Sequence, residues 1–194
     1  MIIRKEMALW GTSDSDESKP KNLTTAEKKE VYATASGWVL EAGSKLTGNG
    51  NTNADPEILV AVSGLAVSLG AGDITDIDFV TSTFSKAGGV ALTVDVRFNE
   101  EVTVTGTPQL TVVNDQRANH TLAYISGSGS NKLRFQLTIA ANDAATNAGD
   151  VLSIGTNAMA LNGGTVKDKG TNTTSTITNS AAIGAAAGTI TVAA

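Results

Sequence analysis

The residues with chemical potential are few and scattered. His120 is the only histidine, between Asn119 and Thr121. The count alone leaves a triad or a His-based metal site open, but no second metal-binding His and no Gly-x-Ser-x-Gly context accompanies it, so a structural role is the preferred reading. Ser126-Gly127-Ser128-Gly129 reads as a turn, and Gly48-Asn49-Gly50 as a loop, because neither opens a helix or is trailed by Lys-Ser or Lys-Thr as a phosphate cradle requires. Three acids are spaced more suggestively. Asp76 and Asp78 are two residues apart, which on a strand places them on one face, and Asp73 lies close by. Such carboxylates could converge with a loop carbonyl on Ca²⁺, although the spacing is not that of an EF-hand loop, and solvated outward carboxylates are the preferred reading. The chain has no cysteine, which removes thiolate nucleophiles, disulfides and Cys-based zinc sites. The sequence therefore predicts no catalytic residue, no cofactor and no metal.

These residues sit on a scaffold with a clear pattern. Leu92, Val94, Val96 and Phe98 alternate with Thr93, Asp95 and Arg97, and Leu133, Phe135, Leu137 and Ile139 repeat the pattern around Arg134, Gln136 and Thr138. Period-two alternation marks strands with one buried face. Between residues 74 and 166 short strands recur: Ile74–Phe84, Ala91–Phe98, Val102–Val104, Gln109–Val113, Thr121–Ile125, Lys132–Ala140 and Val151–Ile154. Asn162-Gly163-Gly164 predicts a hairpin joining Met159–Leu161 to Thr165–Val166. The expected fold is all-β, an antiparallel sandwich.

The first seventy residues differ in kind. Gly11–Lys21 is a polar, mixed-charge arm. Thr24 and Glu27 have capping-box spacing and predict one short helix, which needs something to dock on. Tyr32–Leu40 is strand-like, Gly43–Asn53 is a turn-rich loop, and Ile58-Leu59-Val60-Ala61-Val62 is an apolar run expected to be covered on both sides, with a neighbouring subunit as one possible cover. Trp10, isolated in the polar arm, is expected at a subunit interface. Trp38 reads equally as an interface anchor or as local core. Trp10, Trp38, Ile58 and Val60 are thus the expected subunit-docking residues. The chain divides into an N-terminal docking segment (1–70) and a sandwich (71–194).

Composition agrees with a protein that acts by contact. Of 194 residues, 41% are hydrophobic and only 4% aromatic, so the core is built from Val, Leu, Ile and Ala. A net charge of −5 argues against electrostatic binding to nucleic acid or to an anionic membrane. The start, Met1–Met7, lacks an apolar export segment, and no stretch is long and apolar enough to span a bilayer. After Lys169 the chain is uncharged and β-prone, so Gly188–Ala193 is expected to pair within the sandwich or an assembly.

Two stretches resemble known families. Residues 98–112 (Phe98-Asn99-Glu100-Glu101-Val102 through Thr107-Pro108-Gln109-Leu110-Thr111-Val112), residues 123–135 around Ser126-Gly127-Ser128-Gly129 and residues 160–168 (Ala160-Leu161-Asn162-Gly163-Gly164 through Asp168) resemble the immunoglobulin-like repeat of large bacterial surface adhesins. The resemblance covers about residues 75–180, departs after Asp168 at Lys169-Gly170-Thr171-Asn172, and is present in one copy where adhesins carry arrays. Trp10-Gly11-Thr12-Ser13-Asp14, Ser18-Lys19-Pro20-Lys21, Gly37-Trp38-Val39 and residues 57–65 are similar to virion structural proteins of tailed phages, in particular T4-like phages of marine bacteria. Together these resemblances imply an immunoglobulin-like β-sandwich with an irregular N-terminal arm containing one short helix. They imply a capsid decoration protein in the virion, whose partners are the major capsid protein or another virion protein, further copies of itself, and a host-surface glycan. A neck or tail accessory protein, or a module of a bacterial surface adhesin with calcium at its junctions, are the alternatives.

Overall fold

The computed structural model describes residues 23–34, 37–44, 50–61 and 71–194. The first element, helix α1 (Thr25–Lys29), opens with the expected capping box: the Thr24 hydroxyl accepts from the Glu27 amide, and the Glu27 carboxylate accepts from the Thr24 amide at 2.6 Å. Five residues cannot hold a helix in isolation. It leads directly into β1 (Val31–Thr34), which pairs antiparallel with β2 (Gly37–Leu40), and β3 (Glu57–Ala61) adds to β2 across a bulge at Trp38/Val39. The single strand-like stretch expected over Tyr32–Leu40 is therefore two strands. Gly37, at φ +135°, occupies a conformation that a side chain would resist, and β2 starts there.

The remainder contains β4 (Ile74–Phe79), β5 (Val90–Thr105), β6 (Gln109–Asn114), β7 (His120–Ser126), β8 (Ser130–Ile139), β9 (Val151–Ala160), β10 (Thr165–Asp168), helix α2 (Ala181–Ala186) and β11 (Thr189–Thr191). Hydrogen bonding runs in the order β11-β9-β6-β7-β8-β5-β1-β2-β3, with β4 and β10 also on β5. Every named strand pairing is antiparallel except β1–β5, which is parallel and rests on one register pair, Ala33 with Glu100. The fold is an all-β sandwich. Inner-face residues of β4 and β5 (Ile77, Leu92, Val94, Val96, Phe98) share one core with those of β8 (Leu133, Phe135) and of β6, β7 and β9 (Leu110, Val112, Leu122, Leu152), each 0–1% exposed. Burying aliphatic side chains of this size stabilises by about 1.5–3 kcal/mol each, so alternation and burial coincide where most of the energy lies.

Strand β5 is the spine. Its first half lies between β4 and β8, and after a register shift between Arg97 and Val102 its second half pairs with β10. The break expected between Phe98 and Val102 is a bend within one strand. The turn at Asn162-Gly163 forms, with positive φ at both residues and the Gly164 amide donating to the Leu161 carbonyl at 2.8 Å. The hairpin does not, because β9 pairs with β6 and β11 while β10 pairs with β5. Local turn chemistry is satisfied, and the flanking strands take different partners.

The uncharged C-terminus is paired as expected. Strand β11 adds to β9, and the Ala193 amide and carbonyl bond to Phe84 and Lys86, bringing the end of the chain against the segment that follows β4. Helix α2 was not anticipated in this stretch. Its signals are local: Ser180 caps the Ile183 amide, and an Ala-rich run follows.

Candidate functional site

The surface with the most unusual chemistry lies where the N-terminal elements meet the outer face of β4-β5-β8. The polar members of the alternating strands project there, in register. Asp95 faces Arg134 and Arg97 faces Lys132 across the β5–β8 ladder, while Asp76 faces Arg97 across β4–β5. Two cations directly opposite one another would repel. Glu41, immediately after β2, resolves this by accepting from both: Lys132 Nζ at 3.1 Å and Arg97 Nη2 at 3.4 Å.

The exchange is reciprocal. Lys29 of α1 reaches Asp76 at 3.0 Å and Asp78 at 3.5 Å, and Arg97 Nη1 reaches Asp78 at 2.6 Å and Asp76 at 3.5 Å. Three cations (Lys29, Arg97, Lys132) thus meet three carboxylates (Glu41, Asp76, Asp78), with one of each contributed by the N-terminal segment. Burial, together with the neighbouring Asp78 carboxylate, pushes Asp76 up to about 6, against the pull of Lys29. Asp78 is held below its ordinary value, since the hydrogen bond with Asp76 and the charges of Lys29 and Arg97 outweigh its own burial. Arg97 is half-buried, and the carboxylates around it raise its pKa against the effect of that burial.

Asp76 and Asp78 converge, and the solvated, outward placement expected for them does not hold for Asp76, which is 3% exposed because Lys29 and Arg97 of this chain cover it. Asp73 takes a different role: its amide donates to the Asn99 side-chain carbonyl at 2.7 Å and its carbonyl accepts from the Asn99 amide. Among the described residues no group of three or more His, Asp or Glu side chains is placed to hold a metal ion. His120 is buried at the start of β7. Burial lowers its pKa, opposed by Asp143 and Asp150.

The expected docking residues separate. Trp10 lies outside the described residues. Trp38 is fully buried in a small cluster with Val31, Ala33 and Leu40, so its ring is spent on the N-terminal segment's own core. Ile58 and Val60 lie on β3, the last strand of the ladder, where Ile58 is 68% and Leu59 38% exposed. The second cover expected for this apolar run does not come from the described residues of this chain.

A cleft of about 430 Å³ opens beside the seam, between the segment around Thr52–Pro56 and strands β5 and β8. Its charged lining is internally matched: Arg134 makes two bonds to Asp95 at 2.7 and 2.8 Å, and Lys132 is held by Glu41. Sequence reasoning missed this seam. Arg97, Lys132 and Arg134 occupy the polar positions of alternating strands, which normally face water, and their partners lie far away in the chain. The one visible clue was the pair of short, partner-seeking elements before residue 62. Compared with known proteins, the chain matches no family model, no curated protein and no solved structure.

Proposed function

We propose that the chain is a non-enzymatic structural protein of a tailed-phage virion, a capsid decoration protein that docks through its N-terminal segment and displays its immunoglobulin-like sandwich. The observation that carries this reading is β3: among the described residues it is an apolar strand at the end of the sheet, with Ile58 and Leu59 facing water. An unpaired strand edge is a ready template for another chain, and soluble proteins usually blunt such edges with charge or Pro. Here the five residues carry one charge, at Glu57. The ionic seam adds a mechanical reason. It ties the docking strand's own sheet to the sandwich, so a contact made by β3 is transmitted to the displayed body.

The major capsid protein is the partner this reading assigns to β3. The test is add-back of the purified chain to particles that lack it, followed by sedimentation. The native chain co-sediments saturably, and Ile58→Lys with Leu59→Lys abolishes this without unfolding the protein. Equal co-sedimentation of native and doubly substituted chains would sink the proposal.

A further inference from the structure

The N-terminal segment and the sandwich meet without a shared apolar core. Val31, Ala33, Trp38 and Leu40 bury one another, with Leu23 packed against them, and this cluster is separate from the one that fills the sandwich. The backbone join is slight: β1 and β5 share one register pair, whereas β10 holds β5 through four. What crosses the join is charge. Lys29 reaches Asp76 at 3.0 Å and Asp78 at 3.5 Å, and Glu41 accepts from Lys132 at 3.1 Å and from Arg97 at 3.4 Å. These two residues are coupled on their own side of the join. The Glu41 amide donates at 2.9 Å to the carbonyl of Glu30, the neighbour of Lys29, and the Ser44 hydroxyl donates to the Glu30 carboxylate.

The join is also imperfectly filled. The cleft of about 430 Å³ runs between Thr52, Ala54 and Pro56 on one side and Asn131, Lys132 and Arg134 on the other, with Glu41 in its lining. Glu41 Oε2, Asn131 Nδ2 and, at the seam, Arg97 Nε are out of water with no hydrogen-bond partner. A buried polar atom left unpaired costs free energy that hydration restores, so the closed join carries a penalty that opening removes. The sandwich keeps most of its own pairing in exchange. Arg97 retains Asp78 at 2.6 Å and Asp76 at 3.5 Å, both on β4.

We propose that the N-terminal segment is a releasable clasp: Lys29 and Glu41 let go together, the segment comes off in a step that leaves the sandwich folded, and dissolved salt promotes that step. A released segment built on one small cluster does not hold its strands, because so few apolar side chains cannot offset the entropy of ordering them. Salt acts in this direction because release separates opposite charges. Their attraction is screened as the Debye length falls from about 10 Å at 0.1 M to about 3 Å at 1 M. The side chains of Lys29 and Lys132, 35% and 31% exposed, are open to that screening. The clasp works in this way whatever partner takes β3.

Hydrogen exchange of the full chain at constant neutral pH, in NaCl from about 0.1 to 1 M, reads the step directly. Amides of β1 and β2 should share one opening constant, larger than that of β8, and its ratio to the β8 value should rise roughly fivefold over the series. Lys29→Met with Glu41→Gln should raise the opening constant at low salt by about tenfold or more, as loss of charge-assisted hydrogen bonds does, and flatten the salt dependence. Should the double variant fail to fold, the native salt series and Lys29→Met alone, which should still weaken the salt dependence, decide the matter. Amides of β1 and β2 that open no more readily than those of β8, a ratio that does not change with salt, or a folded variant that keeps the native salt dependence overturns the proposal.

Discussion

Replacing Arg97 by Met should cost about 3–5 kcal/mol, the usual consequence of removing one partner from a buried ion network. Arg97 reaches three carboxylates, and its side chain is 13% exposed, with Asp76 at 4% and Glu41 at 9%. Without it, Lys29 and Lys132 face three acids, and the buried Asp76 and Glu41 lose a cation while remaining out of water. Asp76, already at about 6, should shift further up. Its contribution has a definite sign: a raised carboxyl favours the folded state below its unfolded pKa and is lost as pH rises through the folded value, so Arg97→Met should make stability fall more steeply between pH 4 and 7. Lys169→Met supplies the contrast. Its pair with Glu101 is 49% and 31% exposed, and its loss should cost no more than about 1 kcal/mol. Urea unfolding at constant m measures both, and a double cycle with Glu41→Gln isolates the coupling across the seam. A loss below 1 kcal/mol for Arg97→Met, or no coupling with Glu41, would refute the view that the seam joins the N-terminal segment to the sandwich.

Gly184→Ala should destabilise by about 1–3 kcal/mol even though Ala is the better helix former, because a Cβ there would lie 2.5 Å from the Ile154 carbonyl and 3.0 Å from that of Gly155; thermal melts show the sign. Ile58→Lys with Leu59→Lys should change unfolding free energy by no more than about 0.5 kcal/mol per site, since both residues are exposed, while removing association through β3; analytical ultracentrifugation and urea titration separate the two effects.

The parts of the fold readable from sequence are those where burial imposes a period on neighbouring residues. Leu92, Val94, Val96 and Phe98 alternate because one face of β5 is dry, and Thr24 with Glu27 caps α1 because both partners lie within one turn. Legibility ends where partners are distant. The local chemistry of Asn162-Gly163 produces the turn, yet nothing near it specifies that β10 leaves β9 for β5. The same holds for the seam: alternation assigns Arg97 and Lys132 to a wet face, and only the folded chain brings Glu41 and Lys29 over it. The two-residue spacing puts Asp76 and Asp78 on one face and suggests solvated carboxylates, because nothing near them shows that residues 29 and 97 supply cations that take Asp76 out of water. For Trp38, composition left two readings equal, and the small cluster around Val31 and Leu40 accounts for its burial.

The most direct test of the proposed role is to search purified tailed-phage particles for this chain by mass spectrometry and to determine the particle that carries it by cryo-electron microscopy. The account predicts the protein in stoichiometric amount, with β3 in contact with the shell and the sandwich projecting from it. Particles that lack the protein, or that carry it with residues 1–70 free of contact with any other chain, would contradict the account.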